Sequence, residues 1–240
     1  LHLNEGHPFL AVLERIRPRV KAGASFEAAL DEMRESTIFT THTPVPAGTD
    51  IFPFQLMEKY LGTYMSQLET DRDTFLELGA NPQAPDAGFN TTVFALRVAK
   101  FRNAVSQRHG EVARDMWGHL WPDRAQEEAP IQAVTNGVHL PSWIDASWLQ
   151  PVFDEHLGND WISAQDEAET WESVDEIPDD VLWKAHQDLK SDMLAEIDSR
   201  ARDRWLEGEV PGGNVIAFGA LLDPEVLTLG FARRFTGYKR

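Results

Sequence analysis

The chain has 240 residues, 42% of them hydrophobic, a formal net charge of −17 and no cysteine. The charge argues against nucleic acid or an anionic membrane as partner, and the missing thiols exclude disulfides, Cys-ligated zinc and thiol catalysis. No apolar run reaches the roughly 18 residues of a membrane helix, so neither partner class is expected, and a cytoplasmic location is.

In chain order, LHLN (Leu1 to Asn4) reads as the end of a buried strand, and residues 8–20 as a helix. In that helix Phe9, Leu10, Leu13, Ile16 and Val20 share a face. Pro8 suits the first turn, and Pro18 is expected to end or kink the helix. Ser25 can cap the helix FEAALDEMRE. Thr37 to Thr41 is β-rich, and Pro44, Pro46 and Gly48 then make a stiff loop. Phe54 to Leu68 and Arg72 to Leu78 read as helices, and NPQAPDAG (Asn81 to Gly88) as an exposed turn or loop.

Thr91 to Arg102 reads as one amphipathic helix, followed by a second, EVARDMWGHLWP, closed by Pro122. Ile131 to Val134 is an apolar strand leading into a Thr-Asn-Gly turn. Asp179 is expected to cap a long helix running through Trp205, and Gly208 to Gly213 breaks it. Acidic residues concentrate between Asp145 and Glu209, which reads as a solvated helical surface. The tryptophans of the second half read as packing groups. Leu227 to Phe231 reads as a short strand, and four bases follow it: Arg233, Arg234, Lys239 and Arg240. Bases at the mouth of a strand suit phosphate. Helices alternating with short apolar runs imply an α/β fold, an open sheet with helices on both faces.

Three polar loops follow short apolar segments: Asn4-Glu5-Gly6-His7, Thr41-His42-Thr43 and Thr135-Asn136-Gly137. Open α/β sheets bind ligands at such loops, and amides and imidazoles suit sugar hydroxyls because they can donate and accept. Taken singly, Asn-Gly also fits a plain turn, and His7 a helix start. The eight histidines show no HExxH or comparable spacing, so a metal site is not expected. No Walker A loop, Gly-x-Ser-x-Gly elbow or G-x-G-x-x-G is present.

Five segments in order, LNEGHPFL, TTHTPVPAGTDIFP, NAVSQRHGEVARDMW, QAVTNGVHLPSWI and GFARRFTGYKR, resemble the α-glucan phosphorylases, in particular their shorter bacterial and archaeal branch. The resemblance spans essentially the whole chain. It implies part of the N-terminal Rossmann-like domain of a GT-B glycosyltransferase, with long helices and truncated at both ends. Residues 1–230 would belong to that domain on the acceptor side. Residues 231–240 would begin the crossover to a missing C-terminal Rossmann-like domain. The implied reaction is reversible, retaining phosphorolysis of terminal α-1,4-glucosyl units to glucose-1-phosphate, dependent on pyridoxal phosphate.

By the same resemblance, His7 corresponds to a histidine at the glucose, Asn136 to the asparagine holding the sugar hydroxymethyl group, and Arg234 and Lys239 to the bases that clamp substrate phosphate. Asn4, Thr43 and Tyr238 fall among the substrate contacts, and Arg233 stands near the cofactor phosphate. Thr236 departs from a histidine found in many animal-type members and receives no role. The lysine that carries pyridoxal phosphate would lie beyond Arg240, so the isolated chain is expected to be inactive. A non-catalytic glucan-binding module and a nucleotide-sugar glucan synthase of the same architecture are the alternatives.

Overall fold

A computed structural model describes residues 1–215, 222–233 and 235. They fall into two compact units, Leu1–Gly137 and Val138–Arg240.

The first unit alternates strands and helices: β1 (His2–Asn4), α1 (Phe9–Lys21), α2 (Phe26–Glu35), β2 (Ile38–Thr41), β3 (Ile51–Phe52), α3 (Phe54–Gln67), α4 (Arg72–Glu77), β4 (Ala80–Asn81), β5 (Ala84–Asn90), α5 (Thr91–Val98), β6 (Phe101–Ala104), α6 (Gln107–Trp117) and β7 (Gln132–Ala133). Four strands form a parallel sheet in the order β1-β2-β6-β7. The register pairs Asn4 with Thr40, Thr40 with Asn103, and Asn103 with Gln132. A small antiparallel sheet, β3-β5-β4, lies in the same unit.

The strand order steps in one direction only. Right-handed crossovers then place the connecting helices on a single face. Alternation along the strands agrees. Leu3, Phe39, Thr41 and Ala104 are buried, whereas His2, Ile38, Phe101 and Gln132 on the opposite pleat are exposed. The expectation of helices on both faces is therefore not met among the described residues.

Side-chain caps set most helix starts. Ser25 accepts from Ala28 N, Asp71 from Asp73 N and Thr74 N, Asn90 from Thr92 N and Val93 N, and Ser106 from His109 N. Under the covered face runs a core in which Phe9, Phe75 and Phe94 surround the buried ring of Phe89, with centroids 5.5–5.8 Å away.

The structure corrects five local expectations. The helix α1 does not end at Pro18 but runs on to Lys21, with Pro18 exposed in its last turn. Residues 81–88 are not a loop: Asn81 Oδ1 accepts from Gln83 N, and this turn joins β4 to β5 as a hairpin. The helix over 91–102 stops at Val98, and Phe101–Ala104 is a central strand. There the Arg102 guanidinium reaches back to Leu96 O and lies 5.2 Å from the Trp121 ring, and burial pushes it down to about 10. The run from Leu227 to Phe231 is exposed and irregular, with no strand beside it among the described residues. Asp179 is the first helical residue of its helix, preceded by Pro178 as the flanking residue.

Between α1 and α3, the Tyr64 hydroxyl donates to Glu14 Oε2 and Arg17 Nη2 donates to Glu14 Oε1, each at 2.5 Å. Arg17 and then Tyr64 hold the Glu14 carboxyl at about 2. Burial, and then the bond to Glu14, raises the Tyr64 phenol to about 12. A phenol raised in the folded state contributes stability that is whole below its unfolded value near 10 and is lost as pH rises through about 12. Melting temperature followed from pH 9 to 12 should therefore fall more steeply for the native chain than for Tyr64→Phe.

The second unit holds α7 (Gln150–His156), α8 (Ala168–Glu172), α9 (Asp179–Leu206) and α10 (Gly212–Val215). Trp161 is its buried centre, edge-on to Phe153 and Trp171, and its indole N–H donates to Asp154 Oδ1 at 2.8 Å. Packing thus accounts for Trp161 and Trp171, but Trp143, Trp183 and Trp205 are at least half exposed. Along α9, spaced pairs such as Arg200 with Glu196 and Arg202 with Asp198 keep the acidic stretch solvated. No helix among the described residues is long and apolar enough to cross a membrane.

Candidate active-site edge of the parallel sheet

All four strands of the sheet run parallel, so their C-terminal ends, Asn4, Thr41, Ala104 and Ala133, share one edge. The three polar loops singled out in the sequence leave from that edge. Open α/β sheets place ligands there because the loops and the helix starts face one crevice.

The loop after β1 is built by close approach. Glu5 N donates to Thr40 O at 2.9 Å, extending the ladder by one residue. Gly6 then packs on the first turn of α5. A Cβ there would lie 2.5 Å from Thr91 Oγ1 and 2.7 Å from Thr92 N, so no other residue fits without displacement. His7 follows, exposed, before the start of α1.

The loop after β2 is bound on three sides. His42 Nε2 lies 2.6 Å from Asn4 Oδ1. Glu5 Oε1 accepts from His42 N and, at 3.1 Å, from the Thr43 hydroxyl. His109 Nε2 lies 3.3 Å from Thr43 O, and its Nδ1 accepts from Val105 N at 3.4 Å. A carbonyl only accepts and an amide N–H only donates, so both bonds require the tautomer with the proton on Nε2. Beyond β6, Asn136 N donates to Val105 O at 3.2 Å, which seats the Thr-Asn-Gly turn against the same loop. On the open pleat His2 Nε2 meets Thr40 Oγ1 at 2.7 Å, and Thr40 donates to Asn103 Oδ1 at 2.8 Å.

Asn4 and Thr43 thus fall within one hydrogen-bonded chain. His7 and Asn136 sit on loops of the same edge with exposed side chains. Arg233 is exposed in the second unit, while Arg234, Tyr238 and Lys239 lie outside the described residues. Sequence reasoning gave no role to Glu5, His42 or His109. The signal for His109 was present: Ser106 three residues earlier caps α6, which fixes the imidazole in the first helical turn behind the edge. Among the described residues no group of three His, Asp or Glu side chains is arranged to hold a metal ion.

Among the described residues, amide, imidazole and hydroxyl groups make up most of the network, Glu5 supplies its one carboxylate, and no lysine or arginine joins it. That set can order a neutral polyhydroxyl ligand by donating and accepting at neighbouring positions.

Fold and edge together define an open α/β domain with a polar edge at the strand ends. No family model matches the chain. Over its whole length it is 41% identical to the glycogen phosphorylase of Aquifex aeolicus, 37% to the maltodextrin phosphorylase of Thermococcus litoralis and 39% to the glycogen phosphorylase of Mycobacterium tuberculosis. It spans 34%, 27% and 28% of those three proteins, about a third of their length. By sequence the chain belongs to the glycogen and maltodextrin phosphorylase family.

Proposed function

We propose that this chain is the acceptor-side segment of an α-1,4-glucan phosphorylase, a GT-B enzyme that releases glucose-1-phosphate from the end of a glucan with retention. The observation that supports it is the polar edge, in a chain 37–41% identical to named phosphorylases. In this reading residues 1–230 form part of the N-terminal GT-B domain and 231–240 lead toward its C-terminal partner. The partners are α-1,4-glucan, inorganic phosphate and that domain, in the cytoplasm.

Asn4, His7, Thr43 and Asn136 would hold the hydroxyls of the terminal glucose, with Tyr238 as a further contact. Hydrogen bonds to several hydroxyls orient the anomeric carbon and exclude water from it. Arg234 and Lys239 would hold the attacking phosphate and neutralise it as the glycosidic bond breaks. Arg233 would stand near the phosphate of pyridoxal phosphate, which when bound in the longer protein would supply proton exchange. The described edge does not fit that cofactor: it offers neither a lysine for the aldehyde nor a base for the phosphate.

The test is release of glucose-1-phosphate from a linear maltooligosaccharide by a protein of the relatives' length that contains this segment. Release that needs both inorganic phosphate and pyridoxal phosphate is expected, and none is expected from the 240-residue chain alone. Glucosyl transfer from a nucleotide sugar without phosphorolysis would replace this reading with the synthase. Glucan binding without turnover would replace it with the binding module.

A further inference from the structure

Among the described residues only two besides glycine have a left-handed backbone, Glu5 at φ 68° and Glu69 at φ 51°. Glu69 follows the end of α3, where Thr70 N bonds back to Met65 O, and a left-handed residue is the ordinary way to stop a helix. Glu5 has no such reason. It sits at the ligand edge in a conformation that costs a side-chain-bearing residue stability and that glycine would adopt freely.

We propose that Glu5 is a positioning residue that fixes the His42–Thr43 segment for ligand hydroxyls; this rests on the reading of the edge as a sugar site. The left-handed turn allows one residue to do two things. Its N–H stays in the sheet, donating to Thr40 O, while its carboxylate reaches the loop that follows Thr41. A single oxygen, Oε1, accepts from both the His42 N–H and the Thr43 hydroxyl. His109 holds the Thr43 carbonyl from the far side, and Asn4 holds the His42 ring. Glu5 is the member of this set that grips the loop backbone before Thr43. Without it the His42 imidazole and the Thr43 carbonyl keep their outer partners, but the Thr43 hydroxyl and the His42 N–H lose their common anchor. Hydrogen bonds to a carboxylate are stronger than neutral ones, which suits an anchor that is only half-buried.

The experiment compares Glu5→Gly and Glu5→Gln. Glycine removes the anchor and relieves the backbone, whereas glutamine keeps an acceptor at the same place. On the 240-residue chain, amide hydrogen exchange at His42 should quicken at least about tenfold in Glu5→Gly. Its melting temperature should stay level or rise. Glu5→Gln should stay within about threefold of the native exchange rate. In the protein of the relatives' length, kcat/KM for phosphorolysis should fall at least about tenfold for Glu5→Gly and recover most of that in Glu5→Gln.

Unchanged His42 exchange in Glu5→Gly overturns the proposal. So does a melting temperature that drops alike in both variants, which would mark Glu5 as merely structural. Altered exchange with unaltered kcat/KM overturns it as well. If the unaltered long protein shows no phosphorolysis, the functional reading fails by itself, and the exchange arm still decides whether Glu5 anchors the loop.

Discussion

Phe89→Ala is expected to remove about 3–5 kcal/mol of stability, the usual cost of truncating a fully buried aromatic ring. Phe89 has no exposed surface, and three other phenylalanines, Phe9, Phe75 and Phe94, lie within 5.8 Å of its centroid. Gly79 closes the remaining side. A Cβ at that position would lie 2.5 Å from Phe89 Cδ2, so the backbone already touches the ring and cannot move closer to fill a void. The ring joins β5 to α1, α4 and α5, which means its loss is shared by elements on both sides of the core. A domain of this size has on the order of 5–15 kcal/mol in all. Urea unfolding should therefore show a much lower midpoint at an unchanged slope. Phe101→Ala is the control: that ring lies on the open pleat with 53% of its surface exposed, and its loss should cost below about 1 kcal/mol. Equal losses in the two variants would mean that the sheet is not one-sided.

In the protein of the relatives' length, Arg234→Ala and Lys239→Ala are each expected to lower phosphorolysis at least about a hundredfold. That is the scale on which losing one preorganised donor to a developing charge acts, about 3–4 kcal/mol. The phosphate changes its charge distribution while the glycosidic bond breaks, and water in place of a fixed base must reorient to follow it. Arg234→Lys should also fail to restore turnover, because a planar fork that meets two oxygens is not replaced by a point charge. In the proposed clamp, added salt should rescue none of the three, since contacts at bonding distance are little screened. Glucose-1-phosphate release at saturating phosphate is the measurement. Near-normal turnover in both alanine variants would remove the phosphate-clamp assignment.

The sequence made the helices legible where a cap and an apolar face coincide. Ser25 before Phe26, Ala29, Leu30 and Met33 is such a case, and the structure places both the cap and the buried stripe there. Strands that end in polar loops were legible too, because a β-rich run followed by Pro, Gly or Asn has little else to be. The central strand β6 was not. Its four residues, Phe101, Arg102, Asn103 and Ala104, have no strand-like alternation of polarity, since the inward Arg102 satisfies itself on α5 and the outward Phe101 stays exposed. Local pattern could not reveal either fact. The hairpin of β4 and β5 was hidden for a similar reason: its first residues are exposed and proline-containing, and only pairing gives them shape.

At the polar edge, residue type marked the loops that carry Asn4, Thr43 and Asn136, and the family resemblance gave those residues their roles. Residue type did not mark Glu5 itself, whose importance comes from a backbone angle. Nor did it single out His109, whose partners, Val105 and Thr43, lie on two different loops. Arrangements of that kind exist only once strands far apart in sequence have been paired.

That pairing also sets the order in which the molecule can assemble. His2 must find Ile38, Ile38 must find Phe101, and Asn103 must find Gln132, and each match closes a loop of tens of residues. Closing such loops costs entropy before any contact returns it, so parallel pairings form slowly, whereas helices such as α1 and α3 can form from neighbours alone. The edge that carries Glu5, His42 and Asn136 is therefore expected to take shape after the helices of the first unit. During that interval the unpaired strand edges are open to other chains, beside an apolar row, Ile38 and Phe101, that stays exposed in the finished fold. For this protein the hazardous moment in its production is the wait for the sheet, and slow synthesis or a chaperone that shields strands matters more than helix propensity.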